Sequence, residues 1–113
     1  MGIPLTCNGT IINNSDNTFT LVDKTTDGDW VQAPPQSLGS APISFKVEKT
    51  VNLDFSVTYE DDDKNRITCS GSMHKGAQAN KFEINVTPSG KYGAIVDPEK
   101  TRDNPAVVSW TIA

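Results

Sequence analysis

The chain has 113 residues, of which 35% are hydrophobic and 21% charged, and its formal net charge is −4. Leu, Ile, Val and Phe fill 25 positions, just above the level below which no core forms. This composition predicts one small domain. It excludes a membrane-spanning helix, a disulfide framework, a zinc site built from cysteines and histidines, and a global basic field for nucleic acid.

The opening Met1-Gly2-Ile3-Pro4 has neither the basic stretch nor the apolar run of a secretory signal. A cytoplasmic or non-classically secreted protein is expected. The Met-Gly start matches the acylation motif only at Gly2 and Thr6, and is read as unmodified. Sequons at Asn8, Asn13 and Asn85 are read as unused, because Asn, Ser and Thr are abundant.

Period-two alternation then runs along almost the whole chain. Leu5, Cys7, Gly9 and Ile11 alternate with Thr6, Asn8, Thr10 and Ile12. Phe19 and Leu21 continue the pattern, followed by Ile43, Phe45 and Val47, then Leu53, Phe55, Val57 and Tyr59. Phe82, Ile84 and Val86 form another such run, and Val108, Trp110 and Ile112 close the chain. Shorter candidates are residues 29–32, 66–70 and 92–96. Such alternation is the mark of half-buried antiparallel strands. Turn chemistry separates them: Asn13 to Asn17, Pro34-Pro35, Gly39 to Pro42, Asp61 to Asn65, Pro88-Ser89-Gly90, and a longer polar loop from Pro98 to Pro105. No helical period appears. The fold expected is all-β: a single antiparallel β-sandwich, Ig-like or jelly-roll-like, of eight or nine strands over residues 1–113.

Two readings stand for Cys7 and Cys69, each on an alternating strand. They are a pair of buried thiols, or a disulfide contributing about 4 kcal/mol through the loop it closes. His74 lies between glycines in a loop, without a nucleophile motif around it, and is read as an exposed loop histidine. Asp61, Asp62 and Asp63 form an acidic tip that offers hard oxygens to calcium, but adjacent carboxylates splay apart and a solvated turn is the reading taken. The run from Asp23 to Gly28 fails as a calcium loop, since Pro34 stands where the bidentate glutamate belongs. Nothing calls for a cofactor. The ten Lys and Arg are scattered, without aromatic interleaving.

Trp30, between Asp29 and a turn, is either a core plug or a rim aromatic for a ligand. Trp110 belongs to the core by its place in the last alternation. Tyr59 and Tyr92 are further candidates for a ligand site with Trp30, Asp27 and Asp29.

The order of pieces is suggestive. Ile11-Ile12-Asn13-Asn14-Ser15 leads to Phe19-Thr20-Leu21, then Asp27-Gly28-Asp29-Trp30 and Ala33-Pro34-Pro35-Gln36-Ser37-Leu38. Ile43-Ser44-Phe45 and the strand ending Phe55-Ser56-Val57-Thr58-Tyr59 follow, then Gly76 and Asn80-Lys81-Phe82. This order resembles the aegerolysin family over residues 11–87. The resemblance implies a small acidic β-sandwich that is not an enzyme. It implies binding to a membrane lipid, often a sphingolipid, in some members with a larger perforin-like partner in pore formation. Of the site residues, Trp30 in its Gly28-x-Trp30 setting carries over. Ile95-Val96-Asp97-Pro98 and Val107-Val108-Ser109-Trp110 are similar to the tail of small fungal immunomodulatory proteins.

The expected function is therefore binding without chemistry: recognition of a membrane lipid or headgroup by loops at one end of the sandwich. The alternative is a carbohydrate-binding, adhesion or immunomodulatory lectin-like module, dimeric through an edge strand. An acidic protein gains nothing from anionic lipid, so a neutral or zwitterionic target is expected.

Overall fold

A computed structural model describes residues 3–113. Met1 and Gly2, where the acylation motif begins, lie outside the described residues. Eleven strands follow one another: β1 (Leu5–Asn13), β2 (Phe19–Thr26), β3 (Asp29–Gln32), β4 (Ser37–Leu38), β5 (Ile43–Lys49), β6 (Leu53–Glu60), β7 (Arg66–Met73), β8 (Asn80–Thr87), β9 (Ala94–Asp97), β10 (Lys100–Thr101) and β11 (Ala106–Ile112). There is no helix among the described residues. One sheet has the order β3-β5-β1-β11-β9 and the other β10-β8-β7-β6-β2-β4. The two sheets pack face to face as a sandwich.

The count is eleven strands rather than eight or nine. The two additions, β4 and β10, are two residues each and too short to show alternation. Leu38 of β4 is nevertheless fully buried, seated opposite Phe19. The expectation of a purely antiparallel sandwich is also corrected, because β1 and β11 pair in parallel, with Cys7 opposite Ala106. A strand with one buried face alternates in the same way whichever direction its neighbour runs. The pattern is therefore blind to this pairing.

The alternating residues point inward as their spacing requires. Between the sheets, Phe45, Phe55, Phe82 and Trp110 form a cluster with ring centroids 5.5–6.5 Å apart. Gly9 and Gly71 occupy inward positions inside this cluster. A Cβ at Gly9 would stand 2.3 Å from the Phe45 ring, and one at Gly71 would stand 2.6 Å from both Phe55 and Phe82. The rings fill the space these two glycines leave. In β2 the register slips between Leu21 and Asp23, which turns Val22 out to solvent.

Cys7 and Cys69 lie on opposite sheets, fully buried, as free thiols. The disulfide reading is thereby replaced by the buried-thiol one. Desolvation by burial pushes the Cys7 thiol up to about 12 and raises that of Cys69 as well. Neither is a thiolate near neutral pH. We expect no reaction with a thiol reagent until the domain unfolds, and the same melting temperature with and without reductant. A reductant-dependent shift would show that the two sulfurs do bond.

Candidate functional site

The strands run between two ends, which decides which loops meet. The connections 27–28, 50–52, 74–79 and 102–105 gather at one end, here called basal, and 14–18, 61–65 and 88–93 at the other, apical. The sequence candidates are divided between these ends. Asp27, Asp29 and Trp30 are basal; Asp61, Asp62, Asp63, Tyr59 and Tyr92 are apical.

Of the apical candidates, Tyr59, Tyr92 and Asp61 are engaged in hydrogen bonds within the protein, while Asp62 and Asp63 are exposed. Tyr59 is fully buried and donates its hydroxyl to the Pro35 carbonyl at 2.5 Å, so it offers no surface to a ligand. Tyr92 is buried too and donates to Asp61 Oδ2 at 2.5 Å, while Asn17 Nδ2 donates to the Tyr92 oxygen at 2.8 Å. Asp61 also accepts from the backbone amides of Asp63 and Asn65 and from Asn65 Nδ2, each at 2.9 Å. Its oxygens are occupied by donors, which is the arrangement of a turn clasp rather than of a calcium ligand. No group of three or more metal-ligating side chains occurs among the described residues.

At the basal end, Trp30 is half-buried on the edge strand β3, edge-on to Phe45 at 5.9 Å. It is therefore partly plug and partly rim. Asp29 is exposed beside it, opposite Glu48. Asp27 stands on the other side of the turn. Its Oδ1 accepts from the Asp54 amide and its Oδ2 from Lys49 Nζ, both at 2.9 Å. The Asp54 amide, then the Lys49 ammonium, hold the Asp27 carboxyl below the usual range. Gly28 is required in this turn, because a Cβ there would lie 2.4 Å from the Glu48 carbonyl oxygen.

Asp27 also stands at the mouth of an open groove of about 560 Å³ across the outer face of the six-stranded sheet. Its cause is a difference in side-chain size. Strands β2, β6 and β7 present the short Thr25, Ser56, Ser70 and Ser72 outward, whereas β8 presents the long Lys81 and Glu83. Short side chains beside long ones leave a trough. Thr25 and Ser56 share a hydrogen bond of 2.7 Å between their hydroxyls, Ser72 donates to Asp54 Oδ1, and Lys81 pairs with Glu83 at 3.0 Å. The lining is thus a set of hydroxyls, carboxylates and one ammonium over the Phe55 and Gly71 floor. His74 lies outside it, in the β7–β8 connection, with its amide donating to Asn80 Oδ1.

Sequence reasoning reached Asp27 and missed the rest of the groove. The available signal was Ser56, Ser70 and Ser72 at outward positions of adjacent strands, where long charged side chains are more usual.

No family model matches this chain, and no curated protein matches it. Its fold is similar to solved structures of two binding proteins. The lipid-binding protein Nakanori superposes with a TM-score of 0.85 at 11% identity, over 99% of this chain and 72% of that one. The wild-type lectin of Xerocomus chrysenteron superposes with a TM-score of 0.67 at 8% identity, over 98% of this chain and 100% of that one. At such identities the likeness is one of fold.

Proposed function

We propose that this domain is a non-enzymatic recognition module whose groove takes a neutral or zwitterionic, hydroxyl-bearing headgroup. The observation that carries the reading is the groove lining. Hydroxyls both donate and accept, and carboxylates such as Asp54 accept from ligand hydroxyls or ammonium groups. Three carboxylates, Asp27, Asp54 and Glu83, face Lys81 alone among the lining cations, which disfavours an anionic ligand. Such headgroups come from two sources, a free glycan or a membrane lipid. The lipid-binding and lectin proteins that share the fold support both.

The test is binding to a soluble glycan panel and to vesicles of phosphatidylcholine, sphingomyelin and cholesterol, with two groove variants beside the native chain. Ser70→Tyr fills the trough with a residue that strands tolerate well. It is expected to abolish binding while leaving the melting temperature within a few degrees. Asp54→Asn removes one charged acceptor and is expected to weaken binding about tenfold or more. Undiminished binding by Ser70→Tyr would remove the groove from the function.

A further inference from the structure

The two ends of the sandwich differ in a way that the groove alone does not require. Among the large hydrophobic side chains left exposed, Ile3 and Val51 lie in basal segments outside the strands, 78% and 56% exposed, whereas Val22, Val31, Ile95 and Val107 lie on strands. Both lie at this end of the fold: Leu5 pairs with Lys49 as the outermost pair of the β1–β5 ladder, Ile3 precedes it by two residues, and Val51 follows it by two in the connection that crosses to β6. Both segments are held. Asn104 Nδ2 donates to the Pro4 carbonyl and its Oδ1 accepts from the Thr6 amide, at 3.0 and 2.9 Å. Asn52, next to Val51, accepts from the Lys75 amide at 3.3 Å. The apolar pair is therefore not a frayed tail but part of a tied set of loops.

Charge separates the ends as well. The basal connections carry Asp27 and Asp103 against Lys75 and Arg102, and so are balanced. The apical connections carry Asp16, Asp61, Asp62 and Asp63 against Lys64 and Lys91, and so are acidic. The basal end can approach a surface of zwitterionic headgroups without repulsion, and the apical end is the one that lipid phosphates would repel. The groove opens at the same basal end, through Asp27 and Asp54, and Asp54 is three residues from Val51.

We propose that the basal end is a membrane-contacting surface, on which Ile3 and Val51 enter the interfacial layer of a zwitterionic bilayer while the groove mouth meets the headgroups. This rests on the headgroup reading of the groove and narrows its source to a lipid. Apolar side chains entering the headgroup–acyl boundary strengthen peripheral binding in proportion to the area they bury. Each of these two is worth roughly tenfold in partition.

The experiment uses the full chain and vesicles of phosphatidylcholine, sphingomyelin and cholesterol. The double variant Ile3→Asp/Val51→Asp changes only exposed positions. It is expected to lose about 100-fold in vesicle partition with an unchanged melting temperature and unchanged binding of soluble phosphocholine or glycan. A second arm places a reporter: Val51→Trp fluorescence is expected to be quenched by brominated phosphatidylcholine, whereas Asp62→Trp, at the apical end, is not. Vesicle binding by the double variant equal to that of the native chain, or quenching at residue 62 rather than 51, overturns the proposal and leaves the groove reading in place. Native chain that binds soluble glycan but no vesicle also overturns it. Native chain that binds neither overturns the groove reading with it.

Discussion

Replacing Trp110 by alanine is expected to cost about 4 kcal/mol, a large part of the stability of a domain this size. The side chain is fully buried on β11, between β1 and β9. Its ring touches three others, stacked on Phe45 at 5.5 Å and edge-on to Phe55 and Phe82 at 6.0 and 6.2 Å. It also joins the sheets by a polar bond, since Nε1 donates to the Glu83 carbonyl of β8 at 2.8 Å. Alanine leaves a void that strands held by ladders on both sides cannot close, and it strands that carbonyl. Trp110→Phe keeps most of the packing and removes the donor, so about 1–2 kcal/mol is expected. Urea unfolding followed by far-ultraviolet circular dichroism measures both. A loss under 1 kcal/mol for the alanine variant would mean that the aromatic cluster repacks around the void.

What could be read from the sequence, and what could not, follows from the range of each interaction. Alternation is local, so Leu5 to Ile11, Leu53 to Tyr59 and Val108 to Ile112 announce their buried faces without any partner. The partners themselves are distant. Asn8 lies opposite Val107 in a parallel ladder, and nothing near either residue encodes that. Gly9 and Gly71 look like weak points in their strands until Phe45, Phe55 and Phe82 are seen to occupy the space above them. Aromatics and loop carboxylates are the ligand candidates that a sequence displays. Tyr59 and Tyr92 proved to use their hydroxyls inside the protein, whereas the groove is built from serines, whose significance appears only when β6 and β7 lie side by side. Asp27 was legible because it sits in a turn. Its link to the groove depends on the Asp54 amide, 27 residues away.

The second large effect is expected at Asp61. Asp61→Asn should destabilise the domain by about 2–3 kcal/mol near neutral pH, although the residue lies in a surface turn. The carboxylate accepts four hydrogen bonds, from the Asp63 and Asn65 amides, Asn65 Nδ2 and the Tyr92 hydroxyl. Through Tyr92 and Asn17 it ties the β6–β7 turn to the β8–β9 and β1–β2 connections. The same bonds hold Lys64 at a φ of +68°, a conformation that lysine adopts only under constraint. An amide in this place has one accepting oxygen and turns an NH₂ group toward donors.

The acid dependence separates this role from simple packing. Burial alone would raise the Asp61 carboxyl, but the donors outweigh it and hold the group down, at about 2. A folded-state value below the unfolded one means that the stabilisation is complete above the unfolded value, near 4, and is lost as pH falls toward 2. Native protein should therefore lose stability steeply between about pH 4 and 2, and Asp61→Asn should lose it less steeply. The slope does not vanish in the variant. Glu60, held down by Arg66 and Lys64, and Asp27, held down by the Asp54 amide and Lys49, contribute in the same direction. Urea midpoints at pH 7, 4, 3 and 2 for native and Asp61→Asn chains measure the difference. Parallel acid profiles would place the titrating stabilisation on Glu60 and Asp27 and leave Asp61 only its geometric part in the clasp. Convergence of the two profiles toward pH 2 would assign it to the carboxylate that joins the three apical loops.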